Sequence, residues 1–128
     1  MEPLSIGQFA QVTGLSAHTL RYYEKEGLLS ARRGVSRQRH YREDDLRWVE
    51  FIKRLKETGM PIKEIKHYAD LRAEGEATLV ARMDMLIAHR AHILSELSTW
   101  QTHLKKMEQK ISYYERELML KADAPKKK

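Results

Sequence analysis

The sequence predicts a mostly α-helical protein in which a small winged helix-turn-helix domain is followed by one long coiled-coil helix. Three observations predict this fold class: two short helical segments separated by a glycine turn, an arginine-rich stretch after them, and a heptad pattern that fills much of the second half. The predicted divisions are a winged domain over residues 1–74, a dimerisation helix over 75–120 and a disordered basic tail over 121–128.

The first two helices are predicted from their ends. Ser5 and Gln8 have the spacing of a capping box, and Gly14 ends the first helix because glycine adopts positive φ at low cost. Ser16 then caps the second helix, which Gly27 ends. Helix, tight turn and helix form the helix-turn-helix arrangement, in which the first helix supports the second against DNA.

The second helix separates apolar and polar side chains. At about 100° per residue, Leu20 and Tyr23 fall on the inner side. The outer side chains follow i, i+3, i+4, i+7 spacing: His18, Arg21, Tyr22 and Lys25. Two cations, a phenol and an imidazole suit phosphate oxygens and base edges. The alternative for this segment alone is an ordinary amphipathic surface helix.

The stretch after the second helix is rich in arginine. Between Arg21 and Arg42 stand seven Lys or Arg and two Glu, and seven minus two gives +5 of the chain's +6. Gly34 and Ser36 predict a turn, and their flanks predict a two-stranded ribbon. Because arginine binds phosphate through paired N–H donors, we interpret this ribbon as a DNA-gripping wing rather than a solvated loop.

Two more helices complete the predicted winged domain. Asp44 is the expected cap of the third, which runs to about Thr58 with an inner stripe of Leu46, Val49, Ile52 and Leu55. Gly59 and Pro61 separate it from the fourth, whose inward residues are Ile62, Ile65, Tyr68, Ala69 and Leu71. Trp48 and Phe51 belong either to the core or to the packing of this domain on the long helix; we favour the packing.

The segments Gln8–Leu29, Arg39–Tyr41, Asp44–Leu46 and Phe51–Ile65 together resemble the MerR family of bacterial transcription regulators. The resemblance extends over roughly residues 4 to 72. It implies a winged helix-turn-helix with a second helical wing, then a dimerisation helix that pairs antiparallel with its copy in another chain. It also implies a homodimer that binds a near-palindromic promoter operator, bends and untwists the spacer, and lets RNA polymerase engage both promoter elements.

The resemblance also implies roles for residues of the second helix. His18 and Thr19 are expected at its base-reading start. The run Arg21–Tyr23 matches the family's Arg-Tyr-Tyr segment, which contacts the DNA backbone, although the helical wheel points Tyr23 inward more than Tyr22.

In the wing, Arg39 and Tyr41 match the family's phosphate-gripping Arg-x-Tyr, while Arg37 and Gln38 replace a more common Gly-Tyr. Lys63, early in the second helical wing, is a further expected phosphate contact. The complete expected DNA-binding set is His18, Thr19, Arg21, Tyr22, Tyr23, Lys25, Arg33, Arg37, Arg39, Tyr41 and Lys63.

From Leu79 the chain follows a heptad pattern in which Arg90 alone interrupts twelve successive a and d positions. A helix of this kind reaches roughly 60 Å and cannot bury its stripe inside a small monomer, so the expected partner is another chain. Arg90 either fixes the register of that pairing as a polar residue within the seam, or extends its side chain so that the guanidinium reaches solvent. The expected dimerisation residues are Leu79, Met83, Leu86, Ile93, Leu97, Trp100, Leu104, Met107, Ile111, Tyr114 and Leu118.

Composition excludes several classes of protein. Zero cysteines exclude disulfides, thiolate metal sites and redox-sensing thiols. No run of about 18 apolar residues and no opening secretory signal is present, so we expect a cytoplasmic protein without membrane contact. His89 and His92 are interpreted as surface residues, and no metal or cofactor is expected. No acidic pair, nucleophile–base arrangement or glycine-rich phosphate loop indicates an enzyme.

We therefore expect a DNA-binding transcription regulator whose partners are double-stranded promoter DNA, a second copy of itself and RNA polymerase. One alternative is a DNA-architectural, excisionase-like protein with the same fold and no promoter role. Another is a helical interaction protein whose coiled coil is the functional part. About fifty residues follow the DNA-binding part, so an effector, which the sequence does not identify, would bind near the dimer seam or between the long helix and the winged domain.

Overall fold

The computed structural model describes residues 3–34 and 38–123; the predicted contact Arg37 and the tail residues 124–128 lie outside these ranges. Contacts divide the chain into two compact units, Met1–Ile87 and Ala88–Lys128. Five α-helices and a two-stranded ribbon follow in chain order: α1 Ile6–Thr13, α2 Ala17–Lys25, β1 Arg32–Arg33, β2 Arg39–His40, α3 Glu43–Glu57, α4 Ile62–Glu74 and α5 Leu79–Asp123, with a 3₁₀ turn at Glu76–Thr78 before α5.

The ends of α1 and α2 follow the predicted local signals. Ser5 and Gln8 form a reciprocal capping box: the Ser5 N–H donates to Gln8 Oε1 at 2.9 Å and the Gln8 N–H to Ser5 Oγ at 3.2 Å. Gly14 has φ 74° and ends α1. The Thr19 N–H donates to Ser16 Oγ at 3.0 Å, and this bond starts α2. Both helices are thus fixed by contacts within four residues.

The core of the first unit is aromatic and aliphatic, and it joins all of the helices to the wing. Phe9 stacks on Tyr41 with ring centroids 4.3 Å apart and planes within 4°. Trp48 stacks on Tyr68 at 5.9 Å, and its indole N–H donates to the Leu28 carbonyl at 2.6 Å. The other fully or nearly fully buried apolar residues are Leu20, Tyr23, Leu28, Leu29, Val49, Ile52, Leu55, Met60, Ile65 and Ala69.

The third helix begins two residues earlier than predicted, so the expectation that Asp44 caps it was wrong. Leu4 and Tyr41 exchange backbone hydrogen bonds of 2.8 and 2.9 Å, which hold the chain extended as far as Tyr41. The helix therefore starts at once at Glu43, and the Arg42 N–H donates to the Asp45 carboxylate at 2.8 Å. Asp44 instead pairs with Arg47 along the surface of the helix.

A polar corner connects α4 to α5 without a linker. Gly75 has φ 88° and ψ −153°, a conformation that side-chain-bearing residues rarely adopt. The buried Thr78 hydroxyl donates to carbonyls of the corner, including that of Leu71 at 2.5 Å. Arg82 closes the corner by donating to Thr78 Oγ1 and to the Gly75 carbonyl, both at 3.0 Å. The first turns of α5 are therefore fixed to the first unit, where Met85 and Leu86 pack against the core.

Candidate nucleic-acid interface

The outer face of α2 has the predicted composition. His18, Arg21, Tyr22 and Lys25 are all exposed, whereas Leu20 on the opposite side is fully buried. Thr19 is half-buried and its hydroxyl bonds with Ser16 Oγ at 2.9 Å, which places it at the capped start of the helix. The helix therefore presents its two cations and its imidazole to solvent, and in the described part of the chain neither Arg21 nor Lys25 forms an ion pair.

Two residues of the expected DNA-binding set lie in the core. Tyr23 is 2% exposed and Tyr41 is 0% exposed, so neither ring can reach a phosphate in this structure. Tyr23 points inward because the 3.6-residue period of α2 puts it beside Leu20. Tyr41 points inward because its backbone is paired with Leu4 and its ring is stacked on Phe9. We therefore correct their assignment from DNA contacts to packing residues that support α2 and the wing.

The wing is a short antiparallel ribbon in which Arg32 pairs with His40 and Arg33 pairs with Arg39. Arg39 Nε donates to the Glu24 carboxylate at 2.8 Å, and Arg33 Nη2 donates to the other Glu24 oxygen at 3.1 Å. The hydrogen bond to Glu24 is the main reason that the pKa of Arg39 is raised. The arginines expected to grip phosphate are thus bonded to α2, through a residue that sequence reasoning had not singled out.

The Tyr41 hydroxyl has no hydrogen-bond partner among the described residues. We expect Tyr41→Phe to raise the free energy of unfolding by up to about 1 kcal/mol, because it removes an unsatisfied buried polar group and keeps the ring stack. Burial and, secondarily, the Glu24 carboxylate raise the pKa of Tyr41 above the ordinary 10.0. The unfolded chain therefore loses this proton first, and the stability of the wild-type protein falls as pH rises above that value.

Urea unfolding of both proteins at neutral pH and in the alkaline range checks this expectation. The Tyr41→Phe protein should lack the alkaline loss of stability that arises from this group. A variant less stable than wild type at neutral pH, or one that binds DNA more weakly, would show instead that the hydroxyl has a stabilising or DNA-contacting role.

Lys63 is exposed in the first turn of α4, where the unpaired N–H groups of a helix N-terminus favour an anion. Its predicted position beside phosphate is compatible with this placement. The Lys53 ammonium, by contrast, donates to the Thr13 carbonyl at 2.6 Å and ties the end of α1 to α3.

An open groove of about 580 Å³ lies in the first unit between α3, α4 and the start of α5. Trp48 in its wall is 6% exposed, and Phe51 is half-buried, so both belong to the core or to its edge. The Arg72 guanidinium lies 4.4 Å from the centre of the Trp48 ring. Leu86, one of the expected dimerisation residues, also lines the groove and is half-buried in the single chain.

The apolar stripe of α5 is uncovered in the single chain. Apart from Leu86, all the expected dimerisation residues are more than a third exposed: Leu79, Met83, Ile93, Leu97, Trp100, Leu104, Met107, Ile111, Tyr114 and Leu118. Val80, Ile87 and Leu94 are also exposed and widen the stripe over the first half of the helix. A continuous apolar surface of this length marks an interaction site. Arg90, within the same stripe, is exposed.

The described residues also bear on metal binding and membrane spanning. The rings of His89 and His92 lie 5.8 Å apart. Within residues 3–34 and 38–123, no group of three or more His, Asp or Glu side chains is arranged to hold a metal ion. None of the helices in the described part of the chain combines the length and the apolar character that crossing a membrane requires.

Two family models match the chain: MerR HTH family regulatory protein over residues 4–71, and MerR, DNA binding, over residues 46–111. An uncharacterized HTH-type transcriptional regulator of Haemophilus influenzae is 32% identical over 108 residues, which are 84% of this chain and 80% of that protein. The HTH-type transcriptional regulator AdhR of Bacillus subtilis is 39% identical over 92 residues, which are 71% of this chain and 66% of AdhR.

Solved structures agree in fold. HiNmlR, a MerR family regulator lacking the sensor domain and bound to promoter DNA in its crystal, is 29% identical with a TM-score of 0.81 over 95% of both chains. A putative MerR family transcriptional regulator from Listeria monocytogenes is 32% identical with a TM-score of 0.87 over 94% of this chain and 92% of that chain. These matches confirm the predicted fold class and the DNA-binding regulatory function. The chain belongs to the MerR family of transcriptional regulators.

Proposed function

We propose that the protein acts as a homodimer that binds a promoter operator of near two-fold symmetry and distorts the spacer, so that RNA polymerase engages both promoter elements. The observation that carries this proposal is a cationic α2 surface on the same compact unit as the start of a helix with an uncovered apolar stripe. HiNmlR, which was crystallised with promoter DNA, matches this chain over nearly all of both lengths and supports the proposal.

The dimer is proposed because the stripe on α5 needs a cover. Full burial of one Leu, Ile or Met side chain contributes about 1.5–3 kcal/mol. The stripe of each chain contains eight exposed Leu, Ile or Met residues of the expected dimerisation set, seven of them more than half exposed, and they therefore offer a large driving force for association. The α5 helix of a second chain fits this stripe, because it has the same apolar pattern and the same length of 45 residues.

The spacing of the stripe favours an antiparallel pairing with full overlap. This register pairs Leu79 with the partner's Leu118 and Met83 with the partner's Tyr114, and it continues inward until Leu97 meets the partner's Trp100. Each a position then faces a d position of the other chain. A shift of one heptad in either direction would leave two positions at one end of each stripe without a partner.

Charges beside the stripe disfavour one of the two shifted registers. Full overlap brings Arg82 near the partner's Glu117 and Glu96 near the partner's His103. A shift of one heptad toward the start of the helix would bring Glu96 against the partner's Glu96 and Arg82 against the partner's Lys110, which are repulsive pairs. Arg90 would face the partner's Met107 in the full-overlap register and extend its guanidinium to solvent.

The proposed roles in DNA binding follow from exposure and position. Side chains at the start of α2 reach base edges in the major groove, because the N-terminal part of a recognition helix contacts bases. The other cations of the expected DNA-binding set that the structure describes, together with Tyr22, contact the phosphate backbone. The base-contacting residues are His18 and Thr19, and the backbone-contacting residues are Arg21, Tyr22, Lys25, Arg33, Arg39 and Lys63.

Transcription and footprinting with the purified protein test this proposal. The protein is expected to protect two half-sites related by two-fold symmetry and to stimulate run-off transcription only when the promoter spacer is overlong. Shortening that spacer to the usual length should make transcription independent of the protein. Arg21→Ala tests whether both effects depend on α2: it removes one exposed cation from that helix, and both protection and stimulation should weaken.

Two other outcomes would contradict parts of the proposal. Protected sites that lie away from promoter spacers would favour the DNA-architectural alternative. Protection of the spacer without any dependence of transcription on spacer length would remove spacer distortion from the mechanism and leave operator binding intact.

A further inference from the structure

Glu24 connects the helix that reads DNA to both strands of the wing. It is the penultimate residue of α2, and its two carboxylate oxygens accept hydrogen bonds from Arg33 of β1 and Arg39 of β2. Each strand thus contributes one guanidinium to the same carboxylate. Glu24 is one of only two acidic residues between Arg21 and Arg42, so it stands within the most cationic part of the sequence.

The ribbon needs this carboxylate because its two arginines oppose each other. Arg33 and Arg39 are direct cross-strand partners in the ribbon register. Side chains at such positions lie about 5 Å apart at Cβ, and like charges there are destabilising. A ribbon of two residues per strand has few other bonds to hold it against that repulsion. Glu24 bonds to both guanidinium groups from the side of α2 and reduces their net charge from +2 to +1, which weakens the repulsion.

The bond is also partly shielded from water. The side chains of Glu24 and Arg39 are 21% and 27% exposed, whereas Arg33 is 45% exposed. The Glu24–Arg39 contact is therefore the better positioned of the two, and its effect on the pKa of Arg39 is consistent with this. The contact occupies one of the five N–H donors of the Arg39 guanidinium, so others remain for a phosphate.

We propose that Glu24 is a positioning residue for DNA recognition, which holds the wing arginines at a fixed place relative to the base-reading face of α2 without contacting DNA itself. The inference rests on the proposed contact between the wing and DNA phosphates. A carboxylate so close to DNA would by itself weaken binding to any duplex, because it repels phosphate. Its benefit is instead that helix and wing meet the operator as one preformed surface.

The test compares Glu24→Gln with Glu26→Gln, which makes the same charge change two residues away, where the described residues show no ion pair. Dissociation constants are measured for an operator selected with the wild-type protein and for a scrambled duplex of equal length. Glu24→Gln is expected to weaken operator binding by about five- to tenfold. Binding to the scrambled duplex should stay equal or strengthen. The specificity ratio, which is the dissociation constant for the scrambled duplex divided by that for the operator, therefore falls. Glu26→Gln should leave this ratio unchanged.

A double-mutant cycle separates positioning from a general loss of structure. In the Arg39→Gln background the main partner of Glu24 is absent, so Glu24→Gln should change the ratio by less than about twofold. The proposal would be overturned if Glu24→Gln lowered the specificity ratio equally in the wild-type and Arg39→Gln backgrounds. It would also be overturned if the ratio of the Glu24→Gln protein were as high as that of the Glu26→Gln protein. If the Glu24→Gln protein fails to melt cooperatively, Glu24→Asp replaces it in the test. The same fall in specificity is expected, since the shorter aspartate side chain should not reach the arginines of both strands.

Failure of the proposed function gives a different result. A wild-type protein with no preference for any selected operator would contradict operator binding before any Glu24 variant is measured. A wild-type preference that the Glu24 variants leave unaffected would overturn only the positioning role.

Discussion

Leu97→Glu is expected to convert the protein from a dimer to a monomer and to weaken operator binding by at least about 100-fold. In the full-overlap register Leu97 meets the partner's Trp100 at the middle of the seam, so the two-fold axis brings both introduced carboxylates close together. The change removes two buried leucines and buries two unpaired charges, a loss of more than about 5 kcal/mol of association free energy. Sedimentation velocity and gel-shift titration measure the two effects.

Ser98→Glu is the matched control, because Ser98 is the adjacent residue and lies off the stripe. It adds the same charge at almost the same height on α5, and it should leave both the sedimentation coefficient and the operator affinity nearly unchanged. A Leu97→Glu protein that still sediments as a dimer would contradict the proposed seam, and with it the two-fold operator.

Trp48→Ala is expected to lower the free energy of unfolding by about 3–5 kcal/mol, the largest stability effect that we predict in the winged unit. The substitution leaves a cavity beside Tyr68 and removes the indole bond to the Leu28 carbonyl, which would stay buried. It also removes the ring beneath the Arg72 guanidinium. Because Leu28 lies three residues after the end of α2, the loss should loosen the attachment of α2 to α3.

Urea unfolding at a fixed protein concentration measures this effect, since dimerisation makes the apparent stability depend on concentration. Trp48→Phe retains a ring and should cost less than Trp48→Ala. Val12→Ala, at an exposed site on α1, should change stability by no more than about 0.5 kcal/mol. Equal effects of Trp48→Ala and Val12→Ala would show that the indole does not hold the core together.

The parts of the fold that were predicted correctly depend on short-range signals. The caps at Ser5 and Ser16 and the turn at Gly14 are set by residues within four positions. The long helix was also predicted correctly, because its apolar stripe repeats over many turns and needs no knowledge of the rest of the chain. Periodicity of this kind is readable before any tertiary contact is known.

The errors and the omission have a common physical origin in long-range contacts. Asp44 has the composition of a helix cap, but the pairing of Leu4 with Tyr41 determines where the extended chain ends. The same pairing and the stack of Tyr41 on Phe9 direct the Tyr41 ring into the core, although the Arg-x-Tyr pattern predicted a residue that faces DNA. Glu24 was missed because its partners are 9 and 15 residues away on the ribbon, and only folding brings them together.

The polar corner at Gly75, Thr78 and Arg82 limits how the distance between two half-sites can change in evolution. A flexible connector would let that distance vary continuously, but here hydrogen bonds from Arg82 to Thr78 and Gly75 fix the first turns of α5 to the first unit. In the proposed dimer the distance can change only when one helix slides past the other by a whole heptad. Each such step is about 10.5 Å, or roughly three base pairs along the duplex. Operators of related proteins that share this corner should therefore differ in length by discrete increments.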